Sequence, residues 1–200
     1  IKVFVNPSNL GLFQNYNRCY ELASGVYIKP FAQDDLLMPE NLDKTVRILQ
    51  SRPEVSLVLT AKNIIGENSE ILETVDLYSQ SKRLQLDTRT TSLNGSDLIT
   101  WSLIFLNNYL GEPVVGTFRK ASVAIAYDVQ YYHIGDLELW FRLLQQGTAC
   151  YVSELLCGYR RHKSQASAHR HQQLLDLVDW LRISKKYFSY LRNIGESEEH

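Results

Sequence analysis

Apolar residues fall along the chain in blocks whose spacing defines most of the expected elements. Ile1 to Val5 reads as a short strand, closed by the turn formers Asn6, Pro7, Ser8 and Asn9. Leu12, Phe13, Tyr16, Cys19, Tyr20 and Ala23 then recur at steps of three and four, which predicts an amphipathic helix. Ser24-Gly25 ends it, with Gly25 suited to a left-handed C-terminal position. Val26 to Phe31 is a second strand. Pro39 suits a first helical position, and the helix that follows carries Leu42, Val46 and Leu49 inward and stops before Arg52-Pro53. Val55 to Ala61 is apolar and rich in branched residues, so it predicts a buried strand. The order β-α-β-α-β favours an α/β fold with a three-layer α/β/α sheet.

Lys62 to Asn94 is polar, mixed in pattern and without a repeat. Ser96 or Asp97 can cap a helix holding Leu98, Trp101, Leu103, Phe105 and Leu106, ending near Gly111. Val114 to Arg119 reads as a strand. Asp136 to Gln146 reads as a helix with Leu137, Trp140, Phe141 and Leu144 on its inner face, stopped by Gly147. Thr148 to Val152 and Leu155 to Tyr159 predict two short strands, and His169 to Arg192 one long helix. No linker interrupts the pattern, so residues 1–200 are expected to form a single domain.

Composition adds little except exclusions. The 200 residues are 44% hydrophobic and 22% charged, which argues against wholesale disorder. A formal net charge of -1 gives no support to a nucleic-acid partner. No apolar run approaches the roughly 18 residues of a membrane span. Cys19, Cys150 and Cys157 lack metal-site spacing and read as reduced thiols in a cytosolic protein. Asn94-Gly95-Ser96 fits a glycosylation sequon but reads as a turn leading into a helix.

The segment "FAQDDLLMPE" (residues 31–40) places two carboxylates, Asp34 and Asp35, between an apolar stretch and a helix start. Alone they fit a solvated turn, a helix cap, or a charge pair held for a metal or substrate. The same ambiguity holds elsewhere. Asp136 after Gly135 fits a plain N-cap, Glu138 a first-turn acid, and Arg160-Arg161-His162-Lys163 a solvated basic loop. Asn9 and Gly11 fit helix-entry residues. Trp101 and Trp140 fit either core or the wall of a binding site.

Four blocks taken together narrow the choice: "NPSNLGLFQNYNRCYELASGVYIKPFAQDDLLMPENL", "GEPVVGTFRK", "GDLELWFRLLQQG" and "GYRRHKSQAS". In this order they resemble a glycosyltransferase of family 2, which has the GT-A fold, a Rossmann-like nucleotide-diphospho-sugar transferase sheet. The resemblance runs over residues 1–61 and 111–167. It divides the chain into a metal and donor half (1–61), a variable helical segment (62–110), an acceptor and catalytic half (111–167) and a C-terminal helix (168–200).

The resemblance implies roles by position. Asn9, Gly11 and Asn17 match residues beside the nucleotide. Asp34 matches the aspartate that holds a divalent cation, Mg²⁺ or Mn²⁺, on the donor diphosphate, while Ala32 stands where the motif has its first acid. Asp35 is the trailing acid on the donor side. Asp136 matches the general base, Arg160 lies near the diphosphate, and His162 matches a histidine that is sometimes a metal ligand. Glu112, Arg119 and Trp140 fall near the acceptor, although a turn and edge strand explain the first two equally well. A hard cation prefers oxygen ligands, charge builds on the departing diphosphate, and an attacking hydroxyl must lose a proton to a carboxylate. Direct displacement with one base implies inversion at the anomeric carbon.

The implied partners are a nucleotide-diphosphate sugar and a saccharide or lipid-linked acceptor, in cell-envelope or exopolysaccharide synthesis. The implied location is the cytoplasm, with the inner face of the membrane and a homodimer left open. Ile1 to Val5 resembles the family's third strand, so its nucleotide-binding strands would lie outside the sequence. That, with Ala32, keeps a second reading alive: a degenerate, non-catalytic module that binds a saccharide or partner. A metal phosphohydrolase would need acids and histidines that the sequence does not gather.

Overall fold

A computed structural model describes residues 2–77, 92–162 and 174–196. Helix α1 is Leu12–Leu22, followed by strands β1, Tyr27–Ile28, and β2, Leu36–Leu37. Helix α2, Asn41–Ser51, leads to β3, Val55–Ile65, and β4, Ile71–Val75. Next come β5, Ser92–Leu93, α3, Gly95–Phe105, β6, Gly116–Arg119, and α4, Gly135–Leu144. Strand β7, Thr148–Arg160, and helices α5, Leu175–Lys186, and α6, Phe188–Glu196, complete the order. The sheet runs β1-β6-β3-β7-β2, with β4 also paired to β3 and β5 to β7. It is mixed: β3 and β7 are parallel, and the other pairs are antiparallel.

Burial explains why β3 takes the centre, since ten of its eleven positions are buried and only Asn63 is half-open. Leu57, Leu59 and Ala61 face a large core filled from α3 and α4 by Leu98, Leu103, Leu137 and Phe141. Val58 faces a smaller core with Leu49 of α2 and Cys150 of β7. Helices therefore cover both sheet faces, as the α/β expectation required. Close approach fixes two contacts. A Cβ on Gly116 would lie 2.4 Å from the ring of Trp140, and one on Gly135 would lie 2.7 Å from the ring of Phe13.

Several elements differ from expectation, each for a physical reason. Among the described residues Lys2 to Val5 pair with no strand, and Val3 and Val5 are 82% and 90% exposed. Apolar composition without a ladder partner does not make a strand. The strand expected over 26–31 shrinks to Tyr27–Ile28 because Pro30 has no N–H to donate. Gly25 is not left-handed; α1 ends at Leu22 and passes into extended Ala23. Pro39 lies before α2, and Leu42 faces solvent. The inner face uses Asn41, whose amide donates to Leu156 O at 2.9 Å, and Thr45, whose hydroxyl donates to Asn41 O at 2.8 Å. Buried polar side chains replace the apolar stripe there.

Strand β3 continues past Ala61 and turns back into β4 through Gly66 and a left-handed Ser69, a hairpin hidden by its polar tip. Asn94, not Ser96 or Asp97, caps α3 by accepting from the N–H groups of Ser96 (2.8 Å) and Asp97 (3.4 Å). That helix ends at left-handed Leu106 rather than at Gly111. Pro113–Val115 forms a single 3₁₀ turn before β6. The two strands expected over 148–159 are one, with register shifts that keep it continuous. The long C-terminal helix breaks at Tyr187. The part of that expectation over residues 169–173 lies outside the described residues.

Arg119 ties two layers together. Its guanidinium donates to Val55 O at 2.6 Å, to Arg52 O at 3.1 Å, and to Leu49 O. It thus satisfies carbonyls at the end of α2 and the start of β3. Arg119→Met should cost about 2–4 kcal/mol by stranding those carbonyls, measured by urea unfolding. A loss within experimental error would show that water replaces the guanidinium.

Candidate functional site

The carboxyl end of the parallel pair β3/β7 gathers the chemistry. There β7 ends at Arg160, next to β2 (Leu36 opposite Gly158), so the turn before β2 meets the residues that follow β7. Gln33 and Asp34 form that turn. The two carboxylates part company. Asp34 Oδ2 lies 3.0 Å from His162 Nε2, with both side chains partly open to solvent. Asp35 is buried, and its Oδ1 accepts the Arg160 N–H at 2.9 Å. Burial pushes the Asp35 carboxyl from 3.8 up to about 6; the Arg160 N–H works against this, and Asp34 and Glu112 add to it.

Asp136 approaches from the other half of the chain, in the first turn of α4. Only 8% exposed, it accepts the Leu137 N–H at 2.8 Å. Burial pushes its carboxyl from 3.8 up to about 7, the helix N–H opposing the shift and Glu112 adding to it. Glu112 forms an ion pair with Lys62 of β3, and this pair acts electrostatically on both Asp35 and Asp136. Lys62 lies opposite Cys157 of β7 and sits 5.6 Å over the ring of Tyr159. Lys29, at the end of β1, is a second cation beside Asp35. Its ammonium is sealed from solvent without a hydrogen-bond partner among the described residues, and burial drops it to about 8.

Position is imposed from behind. The buried Asp179 carboxylate of α5 accepts the N–H groups of Tyr132 (2.7 Å), His133 (2.6 Å) and Ile134 (3.2 Å), fixing the loop that starts α4. Glu138, two residues along in the same turn, accepts from Arg142 at 3.0 Å, Lys186 at 2.7 Å and the Tyr187 hydroxyl at 3.1 Å. It is a structural acid that locks α4 to α5.

Other residues singled out by sequence are occupied with the fold. Asn9 accepts the Gly11 N–H at 2.8 Å, and Gly11 takes φ 77 at the entry to α1. Asn17 clasps the backbone of Tyr127 through two 2.7 Å bonds. Arg160 donates to Asp34 O (2.7 Å), Gly66 O (2.6 Å), Glu67 O (3.2 Å) and Ser69 Oγ (3.0 Å), bracing the β3–β4 hairpin against the Asp34 turn. Trp140 has no exposed surface, and its indole N–H donates to Gly111 O at 3.0 Å. It supports the loop carrying Glu112 from beneath. Trp101 stacks on Phe105 at 6.0 Å.

The structure thus brings together Asp34, Asp35, Glu112, Asp136 and His162, and places Asn9, Asn17, Arg119 and Trp140 as supports. Lys29, Lys62 and Tyr16 belong to the same neighbourhood and were not singled out from sequence. Lysines inside otherwise apolar strand segments, "YIKPF" and "LTAKNII", were the available signal. Among the described residues no group of three or more His, Cys, Asp or Glu side chains is arranged to hold a metal ion. Asp34 and His162 offer two donors.

The raised Asp136 carboxyl has a measurable consequence for stability. Its folded value lies above its unfolded one, so its stabilising contribution is complete below pH 4 and is lost as pH rises through about 7. Asp136→Asn keeps the acceptor for Leu137 N–H and removes the titration. The variant should match wild type near pH 3 and exceed it by about 4 kcal/mol at pH 8, at about 1.4 kcal/mol per tenfold. Chemical denaturation at the two pH values checks this, and a pH-independent difference would contradict it.

No family model matches the sequence. The chain is 27% identical over 193 residues to a protein of Mycobacterium tuberculosis (strain CDC 1551 / Oshkosh) named "Uncharacterized protein MT1568". That alignment covers 89% of this chain and 57% of the relative, so the chain spans little more than half of the relative's length.

Proposed function

We propose that this chain belongs to an inverting glycosyltransferase of GT-A type, moving a sugar from a nucleotide-diphosphate donor to a hydroxyl acceptor. The observation that carries the reading is the meeting of Asp136 with Asp34 and Asp35 across a hundred residues of sequence, around one Lys62–Glu112 pair. Asp136 is the base. Burial holds its carboxyl near neutrality, where a carboxylate both accepts a proton from an attacking hydroxyl and gives it up again.

Asp34 and His162 hold the divalent cation. One carboxylate oxygen and one imidazole nitrogen fit an ion that takes its remaining ligands from phosphate oxygens and water, and the imidazole favours Mn²⁺ over Mg²⁺. When bound, the cation supplies charge stabilisation for the departing diphosphate. Arg160 keeps the Asp34 turn in place through its backbone carbonyl. Glu112, on a loop supported by Trp140, faces the acceptor side together with Asp136. With two protein donors and Ala32 at the motif's first acid position, metal affinity without nucleotide should be weak.

A specific observation favours the second reading, a saccharide-binding module without turnover. The guanidinium of Arg160, expected near the diphosphate, is spent on backbone carbonyls of the hairpin. Calorimetry with Mn²⁺, uridine diphosphate and glycans separates the two, since glycan binding independent of metal and nucleotide favours the module.

The decisive assay measures nucleoside-diphosphate release by the full-length protein across a panel of uridine- and guanosine-diphosphate sugars. Asp136→Asn should lower kcat by about 10²–10⁴-fold with little change in KM, and wild-type kcat should rise with pH through about 7. An unchanged rate in the variant rejects the base assignment.

A further inference from the structure

We propose that Tyr16 is a substrate-contacting residue whose phenolic hydroxyl donates a hydrogen bond to an oxygen of a saccharide lying between the Asp34–His162 pair and Asp136. The identity of the saccharide's carrier rests on the transferase reading; the contact itself does not.

The ring is fixed. Tyr16, half-buried on α1, stacks on Tyr127 with centroids 5.0 Å apart and 30° between planes. Tyr127 is held by Asn17 and stacks on Phe13 at 5.3 Å, and Phe13 packs where Gly135 lacks a side chain, one residue before Asp136. The stack therefore links α1 to the start of α4.

The hydroxyl, by contrast, is uncommitted. Tyr20 places its hydroxyl against Lys120 O at 2.6 Å, Tyr151 bonds Asp76 at 2.7 Å, and Tyr187 bonds Glu138 at 3.1 Å. Among the described residues the Tyr16 hydroxyl bonds nothing, yet it is not sealed from solvent as the Tyr127 hydroxyl is. Burial, then the fields of Asp35, Asp136 and Asp34, push the phenol upward, so it stays a donor at every working pH. A hydroxyl without a partner among the described residues, on a ring stacked toward the residue that precedes Asp136, is placed to meet a ligand's oxygen.

The surroundings select the ligand's chemistry. The combined fields of Asp35, Asp136 and Asp34 disfavour a phosphate group there and suit a neutral, polyhydroxylated one. Sugar hydroxyls can donate to the carboxylates and accept from the phenol. Tyr16 is therefore assigned to the sugar and not to the diphosphate.

Tyr16→Phe keeps the ring and its stacking and removes only the hydroxyl. Its melting temperature should equal that of wild type, because the hydroxyl has no protein partner. Calorimetry on the full-length protein with Mn²⁺ uses uridine- and guanosine-diphosphate hexoses, with the sugar-free diphosphates as controls. Affinity for the nucleotide sugar should fall about 3- to 10-fold, the worth of one neutral hydrogen bond, while affinity for the sugar-free diphosphate is unchanged. No loss, or an equal loss on both ligands, overturns the assignment and leaves the transferase reading intact. If wild type binds no nucleotide sugar, the transferase reading fails. A glycan array then decides Tyr16 alone: weaker glycan binding by the variant supports the contact, and no glycan binding by wild type overturns it.

Discussion

Strands β3 and β7 run parallel from Val55 beside Thr148 to Ile65 beside Arg160, and this pairing sets where every residue of the site can be. Parallel strands present their carboxyl ends at the same edge, where loops can converge on a ligand. Lys62 near the end of β3, Arg160 at the end of β7 and His162 just beyond share that edge because of the pairing. Strand β2 lies antiparallel to β7, which returns Asp34 and Asp35 to it. Helix α4 packs against β3 through Leu137 and Trp140, and its first turn delivers Asp136.

Gathering acids at one edge opposes folding, and the surrounding structure meets that cost with rigid backbone contacts. Arg160, Asn17 and Asp179 each satisfy backbone groups of a segment that borders the site. These bonds hold loops whose own sequences would not fix them. The carboxyls they frame are left with few partners, so burial governs their ionisation and keeps Asp35 and Asp136 protonated well above the ordinary range. A site with groups poised near neutrality is the result.

The sequence made legible the elements driven by local pattern: α1, the buried strand at Val55 and the helix after Gly135. The sheet's true edges were not, because a strand exists through its partner. Lys2 to Val5 are apolar and unpaired, while Ile71–Val75 is exposed and paired. Within the candidate site, charge and place in the sequence single out Asp34, Asp35 and Asp136, and the structure sets all three within the electrostatic reach of Tyr16. The sequence misled where long polar side chains reach far from their own position. Arg119 and Arg160 are read from sequence as ligand-side residues, but each finds backbone carbonyls from segments 64 to 126 residues away. Tyr16 looked like one more apolar residue on an amphipathic helix, since nothing local reveals an uncommitted hydroxyl.

The account turns on Asp136 being held, by burial at the edge of the β3/β7 pair, as a carboxyl that ionises close to neutral pH. The carboxyl carbon of Asp136 in isotope-labelled protein, followed by ¹³C NMR across pH 3 to 9, reports this directly. A midpoint near 7 is the predicted result. A midpoint near the ordinary aspartate value of about 4 would contradict the account, because Asp136 would then be a plain helix-capping acid.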